Sequence, residues 1–290
     1  MIRSNLKIFS DLIKIKTTAA VSLTTAVGYL LAVKKLSLEI LIPIIGIFLL
    51  TSGSSALNEY QERKTDGLMS RTSNRPLPAR RIQPSTALLI IFALVLTGVL
   101  ILYFGTNIQA TLLGIFALIW YNGIYTPLKR KTAFAAVPGA LIGAILPMVG
   151  WVAGGGYIFD PQLMLIACFF FIWQVPHFWL LLLLSGDDYK RAGLPSLTKI
   201  FSITQISRIT FIWMLTTAIA SLIIISFGPV QSLIVKINLV IIAIVLSWLA
   251  IKILRSQGKQ LPFRYAFIGI NVFALLVIVF LSIDKLMNIL

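Results

Sequence analysis

Acidic residues are rare in this chain, and their uneven placement is the first indication of chemistry. Only nine Asp and Glu occur among 290 residues, and three fall within NEYQERKTDGLMSRTSNRPL, residues 58–77. Asn58, Glu62 and Asp66 are spaced four residues apart in that stretch. On a helix the three side chains would share one face, with Asn58 and Asp66 about 12 Å apart. Oxygen ligands in such a row suit Mg²⁺ ions that complete their shells with water and substrate phosphate.

Two arginines and a second acidic segment accompany this row. Arg71 and Arg75 follow it, and their planar guanidinium groups match the geometry of phosphate. Asp187 and Asp188 lie in SGDDYKRAGLP, residues 185–195. Both acidic segments together favour recognition of a metal-bound diphosphate. The alternative for the first segment is a solvated helix end that carries ordinary mixed-charge pairs.

A basic segment lies between the two acidic ones. YNGIYTPLKRKT, residues 121–132, is predicted to be a loop, and its Lys129 and Arg130 are candidate diphosphate contacts. Tyr121 and Tyr125 could face a cavity and stabilise a cation through their rings, although core packing is the more frequent role of such tyrosines.

The single histidine, His177, lies in the apolar stretch FFFIWQVPHFWLLLL. Polar side chains at membrane depth usually face the interior of the helix bundle or a cavity. A histidine there is either a hydrogen-bonding packing residue or a ligand, and the sequence leaves both open. Trp173 and the other aromatic residues nearby suit a flat hydrophobic substrate.

Composition defines the class of protein. Hydrophobic residues make up 58% of the chain, charged residues 12%, and the mean hydropathy is +0.96, which excludes a water-facing globule. The one cysteine excludes an internal disulfide and a cysteine-cluster metal site. The net charge of +16 raises the question of nucleic acid, but its placement indicates orientation in a bilayer, so no nucleic-acid partner is predicted.

Long apolar stretches predict an all-α, polytopic membrane bundle of about nine transmembrane helices around a central cavity. We expect a single transmembrane domain over residues 1–290, with residues 1–16 an interfacial segment and residues 3–16 an amphipathic helix. The spans are predicted at residues 17–34, 38–57, 86–104, 108–123, 133–153, 161–184, 207–227, 231–252 and 263–283. The small residues Gly139, Gly143, Gly150 and Gly154 are predicted to allow close packing of helices.

The basic residues predict the orientation of these spans. With the N-terminus in the cytoplasm, 21 of the 25 Lys and Arg residues lie on that side. The other side keeps Lys34, Lys35, Lys236 and Lys285. We therefore predict a multi-pass protein of a prokaryotic cell (inner) membrane, with the N-terminus and both acidic segments cytoplasmic.

The stretch at residues 58–77 resembles the first signature of the UbiA-type intramembrane prenyltransferases. The matching residues are Asn58, Glu62, Asp66, Met69, Arg71, Thr72, Arg75, Pro76 and Leu77. Segments 125–132, 139–151, 173–179 and 187–197 agree in order and spacing, so the resemblance covers most of residues 50–200. The Met-x-Arg-Thr run, LKR-x-T and PHFW resemble the branch of that family that farnesylates haem.

The resemblance implies a role for each matched residue. Asn58, Glu62, Asp66 and Asp187 would hold Mg²⁺, with Asp188 completing the second acidic motif. Arg71, Arg75, Lys129 and Arg130 would contact the diphosphate. His177 and Trp173 would lie by the haem, with His177 touching its iron or a propionate. Departures from the family pattern include Glu62, where the family usually has Asp, and Arg191, where the quinone enzymes have a second acid.

The implied reaction is transfer of a farnesyl group from farnesyl diphosphate to a vinyl group of haem B, which forms haem O. Mg²⁺ is the implied cofactor, and haem A synthase or the assembly of a terminal oxidase the implied protein contact. One alternative is a prenyltransferase that acts on a quinone precursor or another aromatic acceptor. Another is a transporter or assembly factor that only carries haem.

Overall fold

The computed structural model describes residues 2–33, 35–255 and 260–289, and no strand occurs within these ranges. Lys34, which belongs to the charge count and to the first predicted span, and Lys259 lie outside the described residues. The principal helices are α1 (Ile2–Leu12), α2 (Ile15–Ala32), α3 (Leu41–Asp66), α4 (Pro84–Gly105), α5 (Ile108–Ile119), α6 (Leu141–Ala153), α7 (Pro161–Leu184), α8 (Gly186–Arg191), α9 (Ile203–Phe227), α10 (Leu233–Leu254) and α11 (Gln260–Ile289).

Nine helical stretches in the described ranges are long and apolar enough to cross a membrane. Each coincides with one predicted span, so the predicted all-helical membrane bundle is confirmed. The agreement follows from the bilayer itself, which requires about 20 apolar residues per helix and full backbone hydrogen bonding within each span. The ends differ by a few residues in most spans, and the largest extensions are at the ends of α3 and α11.

Helix α3 extends well beyond its predicted end at residue 57. It has 26 residues and ends at Asp66, so the row of Asn58, Glu62 and Asp66 is helical. The hydroxyl of Thr72 donates to the carbonyl oxygen of Asp66 at 2.9 Å and satisfies one of the carbonyl groups left free at the helix end. The single polar face that the spacing indicates is therefore present.

The predicted loop at residues 121–132 is wrong over its first eight residues. Helix α5 continues as a π-helix at Trp120–Tyr125 and a short helical turn at Thr126–Leu128. Asn122 is buried within this π-helix. Its amide donates to the carbonyl oxygen of Ser54 at 3.0 Å and accepts from the Ser54 hydroxyl at 2.6 Å. These bonds to α3 compensate for the widened helical turn, a feature frequent at functional sites.

Glycine contacts bring α2 and α6 close together. A methyl group on Gly150 would overlap the carbonyl oxygen of Thr25, and one on Gly28 would overlap that of Pro147. Among the other predicted packing glycines, Gly143 faces Gln174 and Gly154 faces α2. The predicted packing role of these glycines is confirmed.

The remaining contacts close the helices into a ring. Helix α2 packs against α3, α6 and α11, while α7 packs against α6, α9 and α11. The start of α2, the end of α3 and the π-helix after α5 meet at one end of the bundle, which carries the acidic residues. A cavity of about 620 Å³ lies at the other end of α2, bordered by Tyr29, Ser37 and Gly154.

Candidate active site

The acidic row is buried, and each of its members is bonded to a cationic side chain. Asn58, Glu62 and Asp66 expose 2%, 8% and 1% of their surface. Lys129 Nζ lies 2.7 Å from Glu62 Oε1, and Arg75 Nη1 lies 2.7 Å from Asp66 Oδ2. Buried carboxylates require such pairing, because an isolated buried charge is very costly. Sequence-distant residues that were predicted to act together are thus brought together here.

Lys14 also belongs to this site, although in the sequence it is only one of the basic residues that predict the orientation of the spans. It has a left-handed backbone (φ 51°) between α1 and α2, and its Nζ donates to Asn58 Oδ1 at 3.0 Å. Burial, together with the nearby charges of Arg75 and Lys129, lowers the pKa of Lys14 to about 7. The signal in the sequence was weak, because a basic residue before a first span is ordinary.

Thr126, the first residue after the π-helix, supports the acidic row. The amide nitrogen of Asn58 donates to Glu62 Oε2 at 2.9 Å and to Thr126 Oγ1 at 3.1 Å. Arg130, predicted to contact diphosphate, is exposed and donates to the carbonyl oxygen of Gln61 at 2.6 Å. The segment after α5 therefore brings both of its predicted cations, Lys129 and Arg130, to the end of α3.

The segment after α3 is held by two carboxylates from elsewhere in the chain. Asp188 Oδ1 accepts from the backbone nitrogen and the hydroxyl of Ser70 at 2.9 and 2.6 Å, and Asp188 Oδ2 accepts from the backbone nitrogen of Arg71 at 3.1 Å. Glu59 Oε1 accepts from the backbone nitrogen of Leu77 at 2.9 Å. The Ser70 hydroxyl is the main cause that holds the pKa of Asp188 below its usual range.

Helix α8 also places Tyr189 beside the acidic row. Burial, with the charges of Glu62 and Asp66, raises the pKa of Tyr189 to about 12. The bonds of Asp188 to Ser70 and Arg71 bring the second acidic segment to the part of the chain that follows the first. The side chain of Asp187 is exposed, as is that of Arg71.

The described residues contain no group of three or more His, Cys, Asp or Glu placed to hold a metal ion. The donors in the row are two carboxylates and an amide oxygen, each bonded to a lysine or arginine nitrogen. Hard oxygen donors of this kind fit Mg²⁺, which keeps several waters and needs only one or two protein carboxylates.

His177 and Trp173 lie together at the contact between α7 and α11. His177 Nδ1 is 2.8 Å from Asn271 Oδ1, and Trp173 Nε1 donates to the carbonyl oxygen of Ile270 at 2.9 Å. The imidazole lies 5.0 Å from the Trp173 ring and 5.3 Å from the Phe267 ring, measured between centroids. No sequence pattern indicated the partner from α11, which lies 94 residues away.

A run of stacked rings connects this histidine to the acidic row. Phe178 follows His177 and stacks on Tyr125, with centroids 5.4 Å apart and an interplanar angle of 12°. Lys129 Nζ lies 5.1 Å from the centroid of the Tyr125 ring and also contacts Glu62. One continuous path thus leads from carboxylates through aromatic rings to an imidazole.

Residues 21–275 match the UbiA prenyltransferase family. A protoheme IX farnesyltransferase of Geobacter sulfurreducens is 46% identical over 153 residues, about half of each protein (53% of this chain, 56% of that one). Another, of Nitratidesulfovibrio vulgaris, is 33% identical over 86% of this chain and 87% of its own. A UbiA homolog from Archaeoglobus fulgidus, solved with GPP and Mg²⁺, shares the fold over 95% of this chain and 99% of its own (TM-score 0.67, 15% identity). The chain therefore belongs to the UbiA prenyltransferase family.

Proposed function

We propose that this protein transfers the farnesyl group of farnesyl diphosphate to a vinyl carbon of haem B, with water completing the hydroxyethylfarnesyl substituent of haem O and diphosphate leaving. The observation that carries the proposal is the pairing of Asn58, Glu62 and Asp66 with Lys14, Lys129 and Arg75. The names of the relatives that align along most of the chain point to the same donor and acceptor.

The paired cations have a second role when a prenyl diphosphate arrives. Lys129 and Arg75 are held on carboxylates within a compact network, so a short movement brings their nitrogens onto diphosphate oxygens. Glu62 and Asp66 are then free to bind metal. Arginine suits this exchange because its fork of donors matches phosphate oxygens as well as carboxylate oxygens.

Asn58, Glu62 and Asp66 are the residues that would hold Mg²⁺, with exposed Asp187 a further ligand from α8. When bound, Mg²⁺ supplies Lewis-acid stabilisation of the charge that develops on the leaving diphosphate. Metal in the Archaeoglobus fulgidus homolog supports this assignment. Asp188 positions the backbone of Ser70 and Arg71, and so directs the segment that carries Arg71 and Arg75.

The aromatic path separates the diphosphate end from the acceptor end. Tyr125 and Phe178 form a stacked wall next to the acidic row, where the allylic carbon of the donor becomes positive. Aromatic faces stabilise cations and exclude water, which would otherwise capture the farnesyl cation. His177 and Trp173 at the far end of the wall are the residues assigned to haem.

The membrane setting follows from the same assignment. The nine apolar helical stretches in the described part of the chain make this a multi-pass membrane protein. The distribution of basic residues supports a prokaryotic inner membrane with the acidic end facing the cytoplasm, where soluble prenyl diphosphates reach it. Contact with haem A synthase or with an assembling terminal oxidase is a further prediction, because the product would pass to them.

The test is conversion of haem B by the purified protein. The detergent-solubilised protein is supplied with haem B, farnesyl diphosphate and Mg²⁺. The haem is then extracted and separated by chromatography, and the mass of each product is determined by mass spectrometry. We expect a farnesylated, hydrated haem, and a loss of rate of about 100-fold or more in Asp66→Asn. Glu39→Gln, an exposed carboxylate at the other end of the bundle, is the matched control and should keep the wild-type rate.

Two results would contradict the proposal. Prenylation of a quinone precursor without any haem product would make this an enzyme of another acceptor class. The remaining result has two parts: the purified protein leaves haem B unaltered, and cells that carry Asp66→Asn still grow under conditions that require the protein. This result would indicate a protein that only carries haem.

A further inference from the structure

The surroundings of His177 distinguish between the two parts of a haem that this residue could meet. We propose that Asn271 holds His177 with its proton on Nδ1, so that Nε2 ligates the haem iron and does not bind a propionate. The inference rests on the proposed function, since it concerns the acceptor of that reaction. Asn271 is a positioning residue in this account.

The orientation of the Asn271 amide is fixed by its own helix. Its Nδ2 donates to the carbonyl oxygen of Phe267 at 2.6 Å, one turn earlier in α11. A backbone carbonyl oxygen can only accept, so the amide nitrogen must be the atom on that side. The amide oxygen, Oδ1, is then the atom that faces His177.

This orientation fixes the tautomer of the histidine. Asn271 Oδ1 can only accept, and it lies 2.8 Å from His177 Nδ1, so Nδ1 carries the proton. In a neutral imidazole the other nitrogen is then an acceptor with a free lone pair. A lone pair on Nε2 can bind iron, but it has no proton to donate to a propionate carboxylate.

The remaining contacts support a ligand that is ready to bind. Within the described part of the chain the ring uses only Nδ1 for hydrogen bonding. Its Nε2 atom has no hydrogen-bond partner there and is not fully buried, so a ligand can reach it. The centroids of the Trp173 and Phe267 rings lie 5.0 and 5.3 Å from that of the imidazole, so both rings pack against it. Trp173 is in turn fixed by the carbonyl oxygen of Ile270, the neighbour of Asn271. Metal-binding histidines generally have such an outer hydrogen-bond partner.

The test compares two porphyrins that share the same ring and propionates. Purified protein is titrated with ferric haem and with metal-free protoporphyrin IX, and binding is followed by absorbance. We expect wild-type protein to prefer haem and His177→Ala to lose that preference while it keeps its affinity for protoporphyrin. Asn271→Leu removes the acceptor at similar volume and should weaken haem binding alone, by about 10- to 100-fold.

A vibrational measurement reports on the Nδ1 bond itself. In ferrous, five-coordinate haem the iron–histidine stretch is expected in wild-type protein, at higher frequency in Asn271→Asp, which accepts more strongly, and at lower frequency in Asn271→Leu. Absence of this band from the wild-type complex, or equal affinity of wild-type protein for the two porphyrins, would overturn the inference. If His177→Ala loses affinity for haem and for protoporphyrin IX to the same extent, the inference is also overturned, because that result indicates a contact with a propionate.

These outcomes separate the two claims. A wild-type protein that ligates haem through His177 but forms no farnesylated product supports this inference and refutes the proposed reaction. A wild-type protein that forms the product without preferring haem over protoporphyrin supports the reaction and refutes axial ligation.

Discussion

At the scale of single residues, the site is a set of oxygen donors neutralised by the protein's own cations. Lys14, Lys129 and Arg75 come from three different segments, and each is bonded to one member of the row on α3. Removing one partner of such a buried pair leaves the other charge uncompensated, which typically costs about 3–5 kcal/mol. The arrangement therefore makes both stability and activity sensitive to these side chains.

Lys14 predicts a pH dependence of stability in metal-free protein. Its folded-state pKa of about 7 lies below the ordinary 10.5, so the unfolded chain binds more protons between those values. The free energy of unfolding should therefore rise with pH from about 7 upward, by at most about 1.4 kcal/mol per pH unit from this group. Lys14→Met should lack that increment.

The measurement is the thermal unfolding midpoint at pH 7 and pH 9 in the presence of a chelator. Wild-type protein should gain more stability between the two pH values than Lys14→Met does. The same gain in both proteins would show that Lys14 stays charged throughout and would contradict its buried, repelled environment.

At the scale of elements, Asp188 joins α8 to the segment after α3. Its carboxylate receives two backbone N–H groups and a hydroxyl across 118 residues of sequence. In Asp188→Asn an NH₂ group replaces one of the two carboxylate oxygens. An NH₂ group cannot accept a hydrogen bond, so at least one of the backbone N–H groups of Ser70 and Arg71 loses its acceptor. Because hydrogen bonds to charged groups contribute about 1.5–3 kcal/mol, the amides of Ser70 and Arg71 should exchange hydrogen about 10- to 100-fold faster.

Hydrogen exchange followed by mass spectrometry of peptides that span residues 67–83 checks this expectation. Asp187→Asn, the exposed neighbour, is the matched control and should leave the exchange unchanged. Faster exchange in the control, or none in Asp188→Asn, would mean that the two acids have been assigned to the wrong roles.

The close crossing of α2 and α6 makes a stability prediction. Gly28→Ala places a methyl group against the carbonyl oxygen of Pro147, and overpacking of this kind costs about 1–3 kcal/mol. Gly186→Ala adds the same methyl group to open space at the start of α8. We expect a lower thermal unfolding midpoint for the first variant only. Equal midpoints for both would contradict the glycine packing.

At this scale the sequence could predict features that depend on neighbouring residues, but not those that depend on contacts between distant segments. The spans follow from apolar length, and the row at residues 58, 62 and 66 follows from helical periodicity, so both were accessible. The roles of Asp188, Lys14 and Asn271 depend on contacts with residues 118, 44 and 94 positions away. The predicted loop at residues 121–132 was wrong at Asn122 for the same reason, because this side chain lies within a helical stretch and bonds to α3.

At the scale of the whole molecule, the ring of helices gathers distant segments at one end. Helix α2 begins there, α3 and the π-helix after α5 end there, and Asp188 of α8 bonds to the segment after α3. From that end the stacked rings of Tyr125 and Phe178 lead to His177 at the contact with α11. The bundle thus connects a polar centre of carboxylates and cations to an apolar centre of aromatic rings around His177.

The exchange of side-chain cations for metal and diphosphate is the central claim, and a structure with Mg²⁺ and non-hydrolysable farnesyl thiodiphosphate tests it most directly. We predict that the Lys129–Glu62 and Arg75–Asp66 contacts are broken, with both cations on the diphosphate and both carboxylates on metal. A complex in which these pairs remain intact and the diphosphate binds elsewhere would contradict the account.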